Sequence, residues 1–163
     1  MYALIKWFVM SERKLCGLTM IILLLFVAAC SKNGDDDLKE KNVLLTSKKW
    51  QLAGLKLKTD SGTIVEDAFT PLPAYRKDDY LLFSPDSTYE YNDNLILRID
   101  STSKILDAGR WYLIDGGRSI YMRSEVYSTT YNPPIILELS NTKLFLETHY
   151  PDGSVTWTTF KAE

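Results

Sequence analysis

Apolar and polar residues alternate with a period of two along most of the chain after residue 49, a pattern typical of half-buried β-strands. Between residues 50 and 58 the alternation slips by one position at Ala53-Gly54. A slip at two small residues indicates a β-bulge, which inserts one extra residue into a strand. The sequence therefore predicts a long, bulged first strand, preceded by a short helix over residues 38–45.

Two hairpins are predicted in the second half of the chain from the residues that their turns would pair. One turns at Gly116-Gly117 and the other at Ser140-Asn141, each as a two-residue loop. Both registers bring large apolar residues together on one face of the sheet, which is what fixes a register. The predicted pairs are Trp111 with Met122 and Leu113 with Ile120 in the first hairpin, and Ile135 with Leu146, Leu137 with Leu144 and Glu138 with Lys143 in the second.

The final hairpin admits two registers. A four-residue loop over residues 150–153 places Leu146 opposite Trp157. A three-residue Pro-Asp-Gly loop closed by a glycine bulge shifts that pairing by one residue. The pattern of the sequence leaves both open.

These strands predict an all-β fold, in which seven or eight short strands joined by tight turns form an antiparallel up-and-down meander. A meander of this length closes into a small barrel of about eight strands, because closure removes its edges. A two-sheet sandwich is the alternative. The side chains predicted to point inward are Trp50, Leu52, Leu82, Tyr89, Tyr91, Trp111, Leu113, Ile120, Met122, Leu137, Leu144, Leu146, Val155 and Trp157.

The N-terminal part of the chain has the layout of a secretion signal, with basic residues before an apolar run that ends at Cys30. Residues 27–30, Val-Ala-Ala-Cys, resemble the lipobox of bacterial lipoproteins. The resemblance implies that residues 1–29 are excised and that Cys30 carries diacylglycerol on its sulfur and a fatty acyl chain such as palmitate on its amine. A transmembrane helix is the competing interpretation, but it needs about 20 apolar residues. Translation starting at Met10 would give a more ordinary signal than a start at Met1.

Residues 30–43 are predicted to be a lipid-anchored tether, and residues 44–163 the folded domain. The acidic run over residues 35–37 has three interpretations: a solvated linker, a cap for the following helix, or a surface-export signal. The last rests on a resemblance to lipoproteins of one Gram-negative phylum. It implies an outer-membrane protein on the cell surface; otherwise the anchor faces the periplasm.

The charge and cysteine content of the chain argue against some classes of function. The chain has 19 basic and 21 acidic residues, and excision of residues 1–29 makes it more acidic because Lys6, Arg13 and Lys14 leave with only Glu12. No basic cluster remains, which argues against a nucleic-acid partner. Both cysteines lie in the signal region, so we expect neither disulfides nor a cysteine-based metal site.

The chain resembles the lipocalin-like domains carried by small bacterial envelope lipoproteins. The resemblance covers residues 44–160 and is carried by residues 44–52 (LLTSKKWQL), 77–89 (KDDYLLFSPDSTY), 109–113 (GRWYL) and 136–139 (ILEL). It implies a barrel that binds a small apolar molecule. An eight-stranded barrel either fills with side chains or holds one small ligand, and a filled interior is the alternative here.

Candidate functional residues follow from these patterns. No enzyme motif, metal-ligand cluster or cofactor motif is present, and the single histidine, His149, is predicted on the outer face. We therefore expect a non-enzymatic protein without a cofactor. The candidate ligand-binding residues are the inward aromatics Trp50, Tyr89, Trp111 and Trp157. The alternative is a surface interaction module for an envelope protein or glycan, which would use the outward Tyr112, Tyr121, Ile136 and Phe145.

Overall fold

The computed structural model of the chain describes residues 34–60, 62, 65–94 and 104–163. The signal, Cys30 and the first residues of the predicted tether lie outside these ranges. Within them the secondary-structure elements are α1 (Gly34–Thr46), β1 (Lys49–Lys58), β2 (Glu66–Asp67), α2 (Ala74–Lys77), β3 (Tyr80–Phe83), β4 (Thr88–Asn92), β5 (Ile105–Ile114), β6 (Ser119–Ser124), β7 (Ile135–Leu139), β8 (Lys143–His149) and β9 (Val155–Ala162).

The strands form a closed eight-stranded barrel. Each of β3 to β8 pairs antiparallel with the next strand along the chain, and β1 pairs with both β3 and β9 and so closes the sheet. The two-residue strand β2 lies beside the second half of β1. The predicted all-β up-and-down barrel is confirmed, and every barrel strand pairs with a neighbour on both sides, although β6 and β7 pair only at Ser119 and Ile135.

The first strand and the first hairpin have the predicted registers. The pairing of β1 with β9 shifts between Leu52 and Gly54, which is the predicted bulge. In the β5–β6 hairpin, Leu113 pairs with Ile120, and Gly116 and Gly117 both adopt positive φ angles. Glycine adopts these angles without the steric cost that a side chain would add, so the tight turn is possible here.

The predicted register of the β7–β8 hairpin is wrong. The amide of Ser140 donates to the carbonyl of Lys143 at 2.9 Å, so the turn residues are 141–142 instead of 140–141. The Ser140 hydroxyl stabilises this turn by accepting from the Lys143 amide at 3.1 Å. A bulge between Ile136 and Glu138 then leaves Leu137 46% exposed, while Ile136 packs against the core.

The last hairpin takes the second of the two registers left open by the sequence. His149 pairs with Val155 and Leu146 with Thr158, because Gly153 has a φ of 82° and its amide closes the loop on the Tyr150 carbonyl. Trp157 and Val155 therefore point outward. Predicting them as inward residues was wrong by one position.

The residues of β3 that point into the barrel also differ from the predicted ones. Leu81 and Phe83 are buried, with 5% and 0% of their surfaces exposed, while Leu82 between them faces outward. The segment Tyr80–Phe83 is apolar or aromatic at every position, so its sequence contains no alternation that could set the phase. The phase is set instead by the neighbouring strands, since Leu81 pairs with Trp50 and with Tyr91.

Helix α1 and the start of β1 close one end of the barrel. Leu45 of α1 is fully buried, and the indole N–H of Trp50 donates to its carbonyl at 2.9 Å. Leu38 of the same helix lies against Gly117 in the β5–β6 turn. The predicted helix is confirmed but starts earlier, so residues 34–43, assigned to the tether, are helical.

The interior next to this helix is filled with side chains. Phe83 packs against Trp111 with ring centroids 4.8 Å apart, and the indole N–H of Trp111 donates to the Ser84 carbonyl at 3.2 Å. Ile120 and Leu144 are fully buried beside them. We call this half of the barrel, together with α1, the closed end.

Candidate functional site at the open end of the barrel

The opposite half of the barrel contains a cavity of about 540 Å³, within the range of small-molecule sites. Its apolar lining includes the inward side chains Leu81, Met122, Leu146 and Phe160. Tyr150 lines the same cavity, as do four further tyrosines and two other side chains with polar groups. These are Tyr89, Tyr91, Tyr127, Tyr131, Arg76 and Asn132. We refer to this space as the upper cavity.

The alternation of β4 and β5 places polar groups in this apolar space. Tyr89 pairs with Gly109 across the two strands, and Asp107 lies two residues before that glycine on the same inward face. Gly109 is required there, because a Cβ atom at this position would lie 1.9 Å from the Arg123 carbonyl oxygen. The close approach of β5 and β6 brings Ser124 next to Asp107.

Asp107 is the centre of a hydrogen-bond cluster in the cavity wall, although only 6% of its surface is exposed. Its Oδ2 accepts from the hydroxyls of Tyr89 at 2.8 Å and Tyr131 at 2.7 Å. Its Oδ1 accepts from the Ser124 hydroxyl at 2.5 Å and from the Ala108 amide at 2.9 Å. Four donors satisfy the buried carboxylate, which would otherwise be expensive to bury.

Both tyrosines of this cluster hold their protons more strongly than a free tyrosine. Burial and the hydrogen bond to Asp107 raise the pKa of Tyr131 to about 12. The same two causes raise the pKa of Tyr89 further, because Tyr89 is more deeply buried. Both phenols are therefore neutral hydrogen-bond donors at physiological pH, and neither is prepared to act as a base.

The β6–β7 loop folds back over β6 and supplies part of the rim. The amide of Tyr131 donates to the Met122 carbonyl at 3.1 Å, and the Ser124 amide donates to the Thr129 carbonyl at 2.7 Å. The hydroxyl of Tyr127 reaches the Leu106 carbonyl at 3.1 Å. Two prolines, at positions 133 and 134, follow this stretch and limit pairing with β7 because they have no amide hydrogen to donate.

Of the four predicted ligand-binding residues, the structure places only Tyr89 in the upper cavity. Trp50 and Trp111 are packed in the closed end, with 0% and 2% of their surfaces exposed. Trp157 lies on the outer face, where its indole N–H donates to Glu147 at 2.7 Å. There it lines a separate groove of about 560 Å³ together with Phe145 and Phe69.

The four residues predicted to form an interaction surface do not lie together on one face either. Tyr112 and Tyr121 pair on the outer face and stack with centroids 4.6 Å apart and planes 12° apart, as their predicted register implies. Phe145 faces outward but lines the Trp157 groove. Ile136 does not face outward, because the β7 bulge turns it toward the core.

No protein-family profile matches the chain, and no curated protein sequence matches it either. The resemblance to lipocalin-like lipoprotein domains therefore stays a sequence-based expectation. Among the described residues, no group of three or more His, Cys, Asp or Glu side chains is arranged to hold a metal ion. No helix in the same part of the chain is long and apolar enough to cross a membrane.

Asp107, Tyr131 and Arg76 were not among the site residues predicted from the sequence. A signal for Asp107 is present, since it is in phase with Gly109 and Trp111 on one face of β5. A carboxylate at an inward position of an otherwise apolar face indicates a buried polar cluster. Tyr131 and Arg76 lie in loop and short-helix segments without periodicity, so the sequence gives no comparable signal for them.

Proposed function

We propose that this protein is an outer-membrane lipoprotein, displayed on the cell surface, whose barrel binds a small apolar ligand without transforming it. The upper cavity carries this proposal. The closed end provides a packed core, yet the interior next to it keeps about 540 Å³ of space lined by Leu81, Leu146 and Phe160. Filling that space with side chains would have stabilised the fold further, so an open cavity favours a binding role.

The membrane attachment is supported by the sequence alone. Cys30 follows an apolar run and two alanines, and acylation at this position would anchor the chain through two or more lipid chains. Mass spectrometry of the purified protein should find diacylglycerol on Cys30 and no residue before it. A Cys30→Ser variant should leave the membrane fraction; an unmodified cysteine on an uncleaved precursor would disprove the anchor.

The arrangement of titratable groups favours binding over catalysis. The carboxylate of Asp107 accepts four hydrogen bonds and has no donor-free oxygen to act as a general base. His149 lies on the outer face, where its Nε2 is 2.6 Å from the Glu147 carboxylate. A nucleophile–histidine pair inside the cavity is therefore not available from the described residues.

A cavity-filling substitution tests the binding role directly. Thr158→Trp projects an indole into the upper cavity from β9, whereas Lys161→Trp adds the same group to the outer face of the same strand. The neutral fluorescent probe N-phenyl-1-naphthylamine should bind the wild-type protein and the Lys161→Trp variant, and bind Thr158→Trp much more weakly. A second filling variant, Thr148→Trp, covers the case in which Thr158→Trp does not fold. Equal binding by all folded variants would contradict the proposal.

A surface interaction module is the second candidate, and one observation favours it. The stacked Tyr112 and Tyr121 rings lie on the outer face, and Tyr112 is 48% exposed. Aromatic residues, tyrosine among them, are enriched at protein–protein interfaces relative to the rest of the surface. Light scattering of the wild-type protein and of a Tyr112→Ala, Tyr121→Ala double variant would test self-association through these rings. If both proteins are monomers, this surface does not join two copies of the chain.

A further inference from the structure

The rim of the upper cavity carries a cation that no other described side chain neutralises. Arg76 lines the cavity from the four-residue helix α2, and its guanidinium group makes no hydrogen bond or ion pair within the described part of the chain. The neighbouring Lys77 is different, since its ammonium group donates to the Thr70 carbonyl at 2.8 Å and lies over the Phe69 ring. The positive charge of Arg76 is therefore available to a ligand.

The acidic side chain of the same cavity is not available in this way. Asp107 accepts one hydrogen bond from each of four groups, so a cationic ligand group would have to displace the Tyr89, Tyr131 or Ser124 hydroxyl. Displacement would leave a buried donor unsatisfied, which is costly. The electrostatics of the upper cavity thus favour a negative group at the rim over a positive group inside.

The buried apolar side chains of the cavity lie deeper than the cation of Arg76. Leu81, Leu146 and Phe160 are at most 7% exposed and form its inner wall, whereas Arg76 is exposed at the mouth. Asn132 lines the same cavity, and its side-chain amide can donate a further hydrogen bond. A complementary ligand has an apolar body for the wall and an anionic head for the rim.

We propose that the upper cavity selects amphipathic monoanions, that is, an apolar chain or ring system ending in a carboxylate. This inference rests on the proposed binding function and names the ligand class. The guanidinium group of Arg76 binds the carboxylate, for which its planar donor pair is suited, while the body of the ligand replaces water against the apolar wall. The preference for the anion weakens with added salt, because the head group remains near solvent.

The test compares an acid with its neutral ester on matched variants. The probes are 11-(dansylamino)undecanoic acid and its methyl ester, which share the apolar body and differ in charge. The wild-type protein should bind the acid at least about fivefold more tightly than the ester, as one charged contact at a solvent-accessible rim would give. Arg76→Gln should remove this preference by weakening the binding of the acid more than that of the ester, and Lys77→Gln should keep it.

The outcomes separate this inference from the binding function. Equal affinity of the wild-type protein for acid and ester, or an unchanged preference in Arg76→Gln, overturns the anion selectivity while leaving cavity binding intact. Failure of the wild-type protein to bind acid, ester or N-phenyl-1-naphthylamine overturns both. Restoration of the preference by Arg76→Lys, at reduced strength, would show that a positive charge at this position is what selects the acid.

Discussion

The phenol of Tyr131, which comes from an exposed loop, donates a hydrogen bond of 2.7 Å to Oδ2 of the buried Asp107 in the cavity wall. Tyr131 is 38% exposed, whereas Asp107 is 6% exposed, so the bond connects the surface of the rim to the interior. It attaches the β6–β7 loop to the polar cluster of the barrel, together with the bond of 2.9 Å that the Tyr127 amide donates to the Ser124 hydroxyl.

Removing this hydroxyl should loosen the loop at a small cost in stability. Tyr131→Phe keeps the ring and leaves Asp107 with the donors from Tyr89, Ser124 and Ala108. We expect the free energy of unfolding in urea to fall by about 1 kcal/mol, and hydrogen exchange over residues 125–134 to become faster. Tyr127→Phe is the control, since its hydroxyl reaches a neutral carbonyl; an equal or larger loss there would contradict the role of the carboxylate.

Stability should decrease at high pH because of the same cluster. The pKa of Tyr131 is raised from 10.0 to about 12 in the folded protein, so the folded state retains its proton where the unfolded state has lost it. This contribution is complete below pH 10 and is lost as the pH rises from 10 through 12. Urea unfolding should show the decline above pH 10, with a shallower slope in Tyr131→Phe. The same slope in both proteins would contradict the assignment.

Trp50 and Trp157 each donate one hydrogen bond from the indole N–H. Replacing them with phenylalanine should nevertheless lower the free energy of unfolding by very different amounts. The indole of Trp50 is fully buried and bonded to Leu45, whereas that of Trp157 is bonded to Glu147 on the outer face. Trp50→Phe should cost about 2–3 kcal/mol through the cavity and the unpaired carbonyl it leaves. Trp157→Phe should cost less than about 1 kcal/mol. Guanidinium unfolding would measure both, and similar losses would contradict the placement of Trp157.

The contact between α1 and the β5–β6 turn can be tested with adjacent glycines. Gly116 and Gly117 have φ angles of 66° and 80°, so alanine is strained at both. Only at position 117 would the new Cβ atom approach Leu38 Cδ2, to 2.7 Å. We expect Gly116→Ala to cost about 1 kcal/mol and Gly117→Ala to cost more, with α1 displaced. Thermal unfolding of both variants checks the order, and equal losses would mean that the helix adapts freely.

The fold was largely predictable because its strands alternate clearly and its tight turns contain residues suited to them. The Gly116-Gly117 turn allowed a single register that paired apolar residues, and the structure confirms it. The bulge at Ala53-Gly54 was recognisable for the same reason, since the alternation resumes in the opposite phase. Closure of the barrel followed from the number of strands.

The errors arose where local pattern did not decide the register. Ser140 stabilises a turn one residue later than the most symmetric pairing, and the bulge at residue 137 has no small residue to reveal it. The β8–β9 turn shifts by one because Gly153 adopts a positive φ angle. A shift of one residue reverses the face of a strand, which is why Trp157 was predicted inside and lies outside.

The candidate site was less predictable than the fold. Aromatic residues in a barrel strand are compatible with a packed core and with a binding cavity, and the sequence alone does not place the boundary between them. That boundary depends on the closed end, where Trp50 and Trp111 occupy the interior. The rim depends on loop conformations held by long-range bonds such as Tyr127 to Leu106.

The division of the barrel into a filled half and a hollow half has an evolutionary consequence. The closed end contains the buried Trp50 and Trp111 rings and the helix contact, so a large part of the packed core lies away from the rim. Substitutions at Arg76 or Asn132 can then accumulate and change which ligand binds while the barrel still folds. Proteins that evolve from this one could therefore bind different ligands through substitutions at the rim of the upper cavity alone.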